Sequence, residues 1–319
     1  MCFLPASPVD FRNVRILTGP TGSGKSELAL RLAEQWNAEI VSMDSMTLYR
    51  GMDIGTAKPS AEDRLRVPHH LIDVLDPWES ASVAWWLDEA ARCVRDIDSR
   101  GKTAMLVGGT PFYLKTVLFG IFEGPAADEN IRHRLMVVAH EQGVEALHAR
   151  LAAVDPVIAR RLHANDVRRV VRALEVFELT GKPISELQQQ WHGKSEVHTP
   201  FCMWIDRPRE ELYERIDHRV EKMLASGWID EARRLRELPK PLSRQALQAL
   251  GYAELFEFLD RRQSLVETTK QIQTKTRQFA KRQLTWLRSL PNCRRMPVTG
   301  SEWPPELLSA FDAVGKSSN

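Results

Sequence analysis

The stretch LTGPTGSGKSELALRL, residues 17–32, restricts the possible fold more than any other part of the chain. It fits the pattern G-x-x-x-x-G-K-[ST], with Gly19, Gly24, Lys25 and Ser26 on the fixed positions and Pro20, Thr21, Gly22 and Ser23 between them. NVRIL, just before it, reads as a short buried strand, while Leu28, Ala29, Leu32, Ala33 and Trp36 recur behind it at helical spacing. A strand, a glycine turn and a helix N-terminus in that order set successive backbone N–H groups around an anion. Lys25 adds a point charge, and the Ser26 hydroxyl can help to hold Mg²⁺. The pattern calls for a diphosphate or triphosphate without saying which molecule carries it; ATP is the default.

The next hundred residues extend the same theme. AEIVSMDS, HHLIDVLDP and TAMLVGG read as strands, with a helix around SVAWWLDEAARCVRDIDSRG before the last of them. Alternating strands and helices predict an α/β fold with a parallel sheet and functional residues at the carboxyl ends of its strands. From about residue 123 strand signals vanish, and DENIRHRLMVVAHEQGVEALHARLAAV and its continuation carry helical spacing punctuated by Gly143, Pro156 and Gly181. VHTPFCMWID then reads as a returning strand. The expected organisation is a discontinuous core, 12–122 with 197–300, that closes with three or four helices. It is interrupted by a helical insertion, 123–196, and followed by a loosely held tail, 301–319.

Composition narrows the function classes. With 43% hydrophobic and 27% charged residues, the chain has the makeup of a globular protein, and no apolar run approaches a membrane span. A cytoplasmic monomer is the expectation. Cys2, Cys93, Cys202 and Cys293 are scattered, which predicts reduced thiols rather than a disulfide framework or a zinc site. The net charge of +2 conceals local concentrations: no acidic residue lies between Glu267 and Glu302, and Arg160, Arg161, Arg168, Arg169 and Arg172 form a second basic cluster. Such fields suit a polyanionic partner. On a helix over 275–288, Arg277, Lys281 and Arg288 fall within about 40° of one another and form the candidate nucleic-acid surface, with Phe279, Ala280, Leu284, Trp286 and Leu287 on the opposite, core-facing half.

Several side chains at predicted strand ends can do chemistry. Asp44 can hold metal, bind a hydroxyl or accept a proton; it can also cap a helix starting at SMTLYRG. Thr110 ends LVGGT and precedes Pro111, which suits both a helix cap and a functional hydroxyl. The Gly-Gly-Thr ending replaces the aspartate with which many P-loop ATPases hold Mg²⁺, and Asp73 is an alternative donor or a satisfied strand residue. His69 and His70 point to opposite faces of a strand, so no transition metal is expected there. Arg215 and Arg219 share one helix face, as exposed ion-pair partners or as ligands for a diphosphate.

Taken together, GPTGSGKS, SMDSMTLYRGMDIGTAKP, PHHLIDVLDP, LVGGTPFYLK, RRLHANDVRRVVRALEVFELTGKPISE and TRQFAKRQLTWLR closely resemble the tRNA dimethylallyltransferases. The resemblance implies a P-loop NTPase-like parallel-sheet core with a helical insertion domain that binds tRNA. It implies transfer of a dimethylallyl group from dimethylallyl diphosphate to the N6 amine of an adenosine beside the anticodon, with Mg²⁺ near Ser26. Gly19 to Ser26 would then cradle the donor's diphosphate rather than ATP. Asp44 would be the general base, Thr110 a hydroxyl near the reacting centre, and Arg219 a diphosphate ligand. Asp44, Ser45, Met46, Thr47, Thr110 and Arg132, with Arg168, Arg169, Val170, Val171 and Arg172, would touch tRNA. The chain departs from the family pattern after Gly251 and Tyr252, where Ala253 and Glu254 stand in place of the usual arginine and glutamine. It also lacks a C-terminal zinc-finger extension, as in the bacterial form. A P-loop small-molecule or nucleotide kinase is the competing reading, with Asp44 on an acceptor hydroxyl.

Overall fold

A computed structural model describes residues 11, 13–120, 124–125, 127–189, 200–290 and 292–304. The start of the returning strand, 197–199, and most of the expected tail, 305–319, lie outside these residues. In chain order the elements begin with β1 (Arg15–Thr18), α1 (Lys25–Gln35), β2 (Ala38–Ser42), α2 (Ala61–Arg66), β3 (His69–His70), α3 (Val83–Ser99), β4 (Thr103–Gly108) and α4 (Pro111–Phe119). There follow α5 (Glu129–Glu141), α6 (Val144–Val154), α7 (Pro156–Ala159), α8 (Val167–Thr180) and α9 (Ile184–Gln189). The chain then forms β5 (Phe201–Asp206), α10 (Arg209–Ala225), α11 (Trp228–Arg236), α12 (Tyr252–Leu259), α13 (Leu265–Arg288) and β6 (Arg294–Pro297).

The six strands form one parallel sheet in the order β3-β2-β4-β1-β5-β6. Both faces are covered, as the near-continuous apolar strands require. Ile16, Val41 and Leu106 face one core with Trp86 of α3, Leu114 of α4 and Leu284 of α13. Leu17, Ile40 and Met105 face the other, with Leu28 and Leu32 of α1. The reversal of strand order about β1 leaves a crevice at the carboxyl edge, the usual ligand position in open α/β sheets. A third core, around Tyr49, Trp228, Tyr252 and Ile272, binds the closing helices to the segment after β2.

Contacts divide the chain into two units, 1–118 with 198–319, and 119–197. The second is a helical body around Leu135, Leu147, Leu151, Val170 and Leu174. Within it, the fully buried Glu175 accepts from the Asp128 N–H at 2.7 Å and pairs with Arg132 and Arg172. No helix among the described residues is long and apolar enough to cross a membrane.

Three local expectations change. HHLIDVLDP yields a strand of only two residues, because Leu71 and Asp73 turn to positive φ (59° and 57°) and break the ladder. SMTLYRG is a chain of turns, so Asp44 caps no helix; its Oδ1 accepts from the Met46 N–H at 2.9 Å within the turn. Cys202 and Cys293 are disulfide bonded rather than reduced, with Cα atoms 4.6 Å apart. Their separation of 91 residues hid the pair, which the register of Met203 with Arg294 brings side by side. Cys93 remains a free, half-buried thiol, and burial pushes its pKa up to about 11; Cys2 lies outside the described residues.

The carboxyl edge has no room for a side chain at Gly108, where a Cβ would stand 2.1 Å from the Met43 carbonyl oxygen. Gly108→Ala should therefore cost about 3 kcal/mol or more by forced overpacking. Gly101→Ala, at positive φ but with nothing within 4 Å, should cost only the backbone strain, about 1–2 kcal/mol. Urea unfolding midpoints of the two variants check the difference.

Candidate active site

Three loops leave the sheet's carboxyl edge side by side. The turn after β1 is folded by Gly22 and Gly24 at φ 81° and 91°, where side chains are strained. Its outward carbonyls are held by two arginines: Arg207 Nε donates to Ser23 O at 2.8 Å, and Arg215 Nε donates to Gly22 O at 2.9 Å. Arg207 is 3% exposed, pairs with Glu211 and lies against the Trp303 ring. With those carbonyls engaged from behind, the loop's remaining N–H groups and the start of α1 are left to bind an anion. Ser23 is fully buried against Gly19 rather than turned to the cavity.

A cavity of about 830 Å³ opens in front of this turn. Thr21, Lys25 and Ser26 line it from the first loop, Asp44, Ser45, Met46 and Thr47 from the second, and Gly109 and Thr110 from the third. Arg219 of α10 lines it as well. Thr110 Oγ1 accepts from the Ser45 N–H at 3.0 Å, tying the second loop to the third. Thr47 turns its hydroxyl inward, to Ser42 Oγ at 2.8 Å and Asp44 O at 3.2 Å. The same cavity is also lined by the apolar side chains of Met46, Val220, Met223, Trp228, Leu250 and Phe279, alongside further charged groups such as Lys58, Asp63 and Arg282. Phe279 thus lines the cavity instead of anchoring the core, while Ala280, Leu284 and Leu287 beside it are buried as expected.

Electrostatics around Lys25 and Arg219 favour an anion. Burial, reinforced by Arg219, lowers the Lys25 ammonium to about 8, and Asp44 partly opposes the shift. Burial also lowers Arg219, with Asp44 opposing and Arg215 adding to the shift. Two desolvated cations beside one carboxylate hold an excess of positive charge that an anionic ligand relieves.

The loop over residues 52–58 is fastened from below. Glu231, 1% exposed, accepts from the N–H groups of Asp53, Ile54 and Gly55 at 2.8–3.0 Å and from the Tyr252 hydroxyl at 2.7 Å. This explains Gly251 and Tyr252: the tyrosine completes the carboxylate's shell, and a Cβ at 251 would stand 2.2 Å from Trp228. Lys58 donates to Asp53 and Asp73 and to the Tyr49 carbonyl, and Arg64 also holds Asp73. Asp73 is therefore a structural anchor rather than a metal donor.

The other predicted residues divide by environment. In the helical unit, Arg168 and Arg169 are exposed, whereas Val170 and Val171 point into that unit's core. Arg132 and Arg172 are held by Glu175. On α13, Arg277 is bound to Asp217 of α10 at 2.6 Å, Arg288 lies 3.9 Å from Asp206, and Lys281 is exposed. The stripe is thus less positive than its sequence suggests, because its acidic partners come from other elements. Three further residues belong to the site: Arg282 and Gln283 line the cavity, and Arg207 stands behind the loop. A local signal existed only for Arg207, a cation directly after a sheet strand's carboxyl end.

Comparison with known proteins finds relatives of one family in both sequence and structure. The family model described as IPP transferase matches residues 47–290, and that described as isopentenyl transferase matches residues 12–68. The chain is 49% identical to a protein of Geobacter metallireducens named tRNA dimethylallyltransferase, over 94% of this chain and 95% of the relative. It is 43% identical to a Rhodopirellula baltica protein of the same name, over 97% and 95%. Among solved structures it resembles the tRNA isopentenylpyrophosphate transferase of Bacillus halodurans (TM-score 0.70, 37% identity, 95% and 96% coverage). It also resembles a eukaryotic dimethylallyltransferase described as acting on tRNA (TM-score 0.76, 28% identity, 95% of this chain and 78% of that one).

The lowered Lys25 pKa has two opposite consequences. In the free protein the cost of burying the charge is full below about 8 and is relieved as pH rises towards 10.5, so this group's contribution to stability improves with pH. Anion affinity runs the other way: inorganic diphosphate should bind more weakly as pH rises through about 8, with proton uptake on binding. Calorimetry in two buffers of different ionisation enthalpy should detect that uptake and find it reduced in Lys25→Met.

Proposed function

The chain belongs to the IPP transferase family, and on that premise we propose that it transfers the dimethylallyl group of dimethylallyl diphosphate to the N6 amine of an adenosine beside the anticodon of tRNA. Diphosphate is the other product. The observation that carries this reading is one cavity lined together by the cations Lys25 and Arg219, the carboxylate of Asp44 and the apolar side chains of Met46, Val220, Met223, Trp228, Leu250 and Phe279. A kinase needs the polar groups but gains little from so much apolar lining, and its usual strand-end carboxylate is replaced here by Gly-Gly-Thr.

In the step proposed, the N6 lone pair forms a bond to the allylic carbon as the carbon–oxygen bond to the diphosphate breaks. The electron pair leaves with the diphosphate, and the N6 proton passes to Asp44. An exocyclic adenine amine is a weak nucleophile, so the barrier falls mainly through stabilising the leaving charge. The loop N–H groups not already bonded within the protein, at Gly22, Gly24, Lys25 and Ser26, supply that stabilisation from fixed positions together with the Lys25 and Arg219 side chains. Asp44 is aimed by the Met46 N–H, which leaves its other oxygen for the amine. Thr110 steadies the adjoining turn through Ser45.

Mg²⁺ fits the donor set. A Ser26 hydroxyl at the cavity wall, with diphosphate oxygens and water, suits a hard cation that keeps much of its own hydration. When bound it would neutralise diphosphate charge. In the helical unit, exposed Arg168 and Arg169 offer cations for the tRNA backbone, with Val170 and Val171 acting only by supporting that helix; in the core unit, exposed Lys281, Arg282 and Arg288 offer others. Extruding the adenine costs a few kcal/mol, which such backbone contacts would offset. All the groups used in the step lie on one chain, so a monomer suffices.

Incubation with Mg²⁺, labelled dimethylallyl diphosphate or labelled ATP, and tRNA, AMP or no acceptor should give label transfer from the prenyl donor to tRNA alone. Transfer to AMP, or consumption of ATP without prenylation, would refute the reading. Asp44→Asn retains the turn's hydrogen bond but not the base, and should lower kcat by about 10²–10⁴-fold with tRNA affinity within a few-fold. Single-turnover kinetics and filter binding measure the two effects.

A further inference from the structure

One side-chain amide joins two walls of the cavity. Gln283 stands on α13, is 3% exposed and lines the cavity. Its Oε1 accepts from the Thr21 N–H at 2.9 Å, and its Nε2 donates to the Gly109 carbonyl at 2.7 Å. The partners fix the amide's orientation, since an N–H must meet the oxygen and a carbonyl must meet the nitrogen. Thr21 belongs to the phosphate-type loop, and Gly109 immediately precedes Thr110. The fit is close: a Cβ on residue 109 would stand 2.7 Å from Nε2.

Few side chains can replace this amide. An ionised glutamate keeps the acceptor but sets a second acceptor against the Gly109 carbonyl, and leucine offers neither partner. The linkage continues through Thr110 Oγ1 to the Ser45 N–H at 3.0 Å, and so reaches the turn that carries Asp44. One side of the linkage holds the leaving group and the other holds the acceptor's base.

We propose that Gln283 is a positioning residue for the transfer, setting the spacing between the diphosphate loop and the Asp44–Thr110 wall. The inference rests on the dimethylallyl-transfer reading above. Gln283 acts through Thr21 and Gly109 rather than on the reacting atoms. Its effect follows from the steep dependence of such reactions on alignment, where a misplacement of about 1 Å costs roughly 100-fold.

The test compares Gln283→Leu and Gln283→Glu with the full-length protein, measuring kcat and KM for each substrate, tRNA binding and melting temperature. Gln283→Leu should lower kcat by about tenfold or more while tRNA affinity stays within about twofold. Gln283→Glu should be similarly impaired near pH 8 and should recover as its carboxyl group protonates. Burial and the facing Gly109 carbonyl disfavour the charged form, so that carboxyl should titrate above the ordinary glutamate range, and the variant's kcat relative to the original protein should rise as pH falls from about 8 to about 5.5, while the Gln283→Leu ratio stays flat. An unchanged kcat in Gln283→Leu, or a flat ratio for Gln283→Glu, would overturn the proposal. So would parallel losses of tRNA binding, donor binding and melting temperature, which would mark a merely structural residue. If the original protein transfers no prenyl group to tRNA, the underlying reading fails instead, whatever the variants do.

Discussion

The close approach of three chain segments at the carboxyl edge of the sheet is the constraint on which the site depends. It exists because residues 108 and 109 carry no side chains: the first lets β4 run against Met43, and the second leaves room for the Gln283 amide. The Met43 N–H donates to Val107 and its carbonyl accepts from Thr110, so the loop after β2 continues the sheet's hydrogen bonding beyond the last strand residue. Asp44 follows directly. Its position is set by backbone pairing as well as by its own turn, which holds a reacting group more narrowly than a free loop would.

Charge is arranged in two layers around the first loop. Arg207 and Arg215 stand behind it and take its carbonyls, while Lys25 and Arg219 stand in front and remain for a ligand. The rear pair does structural work and the front pair is unfavourably desolvated until an anion arrives. Two other charged clusters are closed within the protein. Glu39 is held by Arg100, Lys102 and His70, with its carboxyl well below the usual range because of Arg100 above all, and Asp73 is held by Lys58 and Arg64. The contrast separates binding groups from those that maintain the fold.

Much of this was legible in the sequence where the signal is local. The glycine loop between strand and helix, the apolar strands and the ending Gly-Gly-Thr each carry their meaning within a few residues. The resemblance to the tRNA dimethylallyltransferases added the chemistry that spacing alone left open. What escaped was long-range. Gln283 is 262 residues from Thr21, and Cys202 is 91 from Cys293, so neither pairing leaves a periodic trace. The basic stripe on α13 looked uncompensated because its partners Asp217 and Asp206 lie on α10 and at the end of β5. Asp44 looked like a helix cap because a cap and an Asx turn begin with the same residue type. Val170 and Val171 came in with a motif whose solvent-facing members are arginines.

The central claim is that a phosphate loop of nucleotide-binding type here grips the leaving group of an alkyl transfer to RNA. The most direct measurement is mass spectrometry of nucleosides digested from unmodified tRNA after incubation with the protein, Mg²⁺ and dimethylallyl diphosphate. The account predicts N6-dimethylallyladenosine, confined to the adenosine beside the anticodon. Unmodified adenosine at that position, with the protein folded and the tRNA bound, would contradict it.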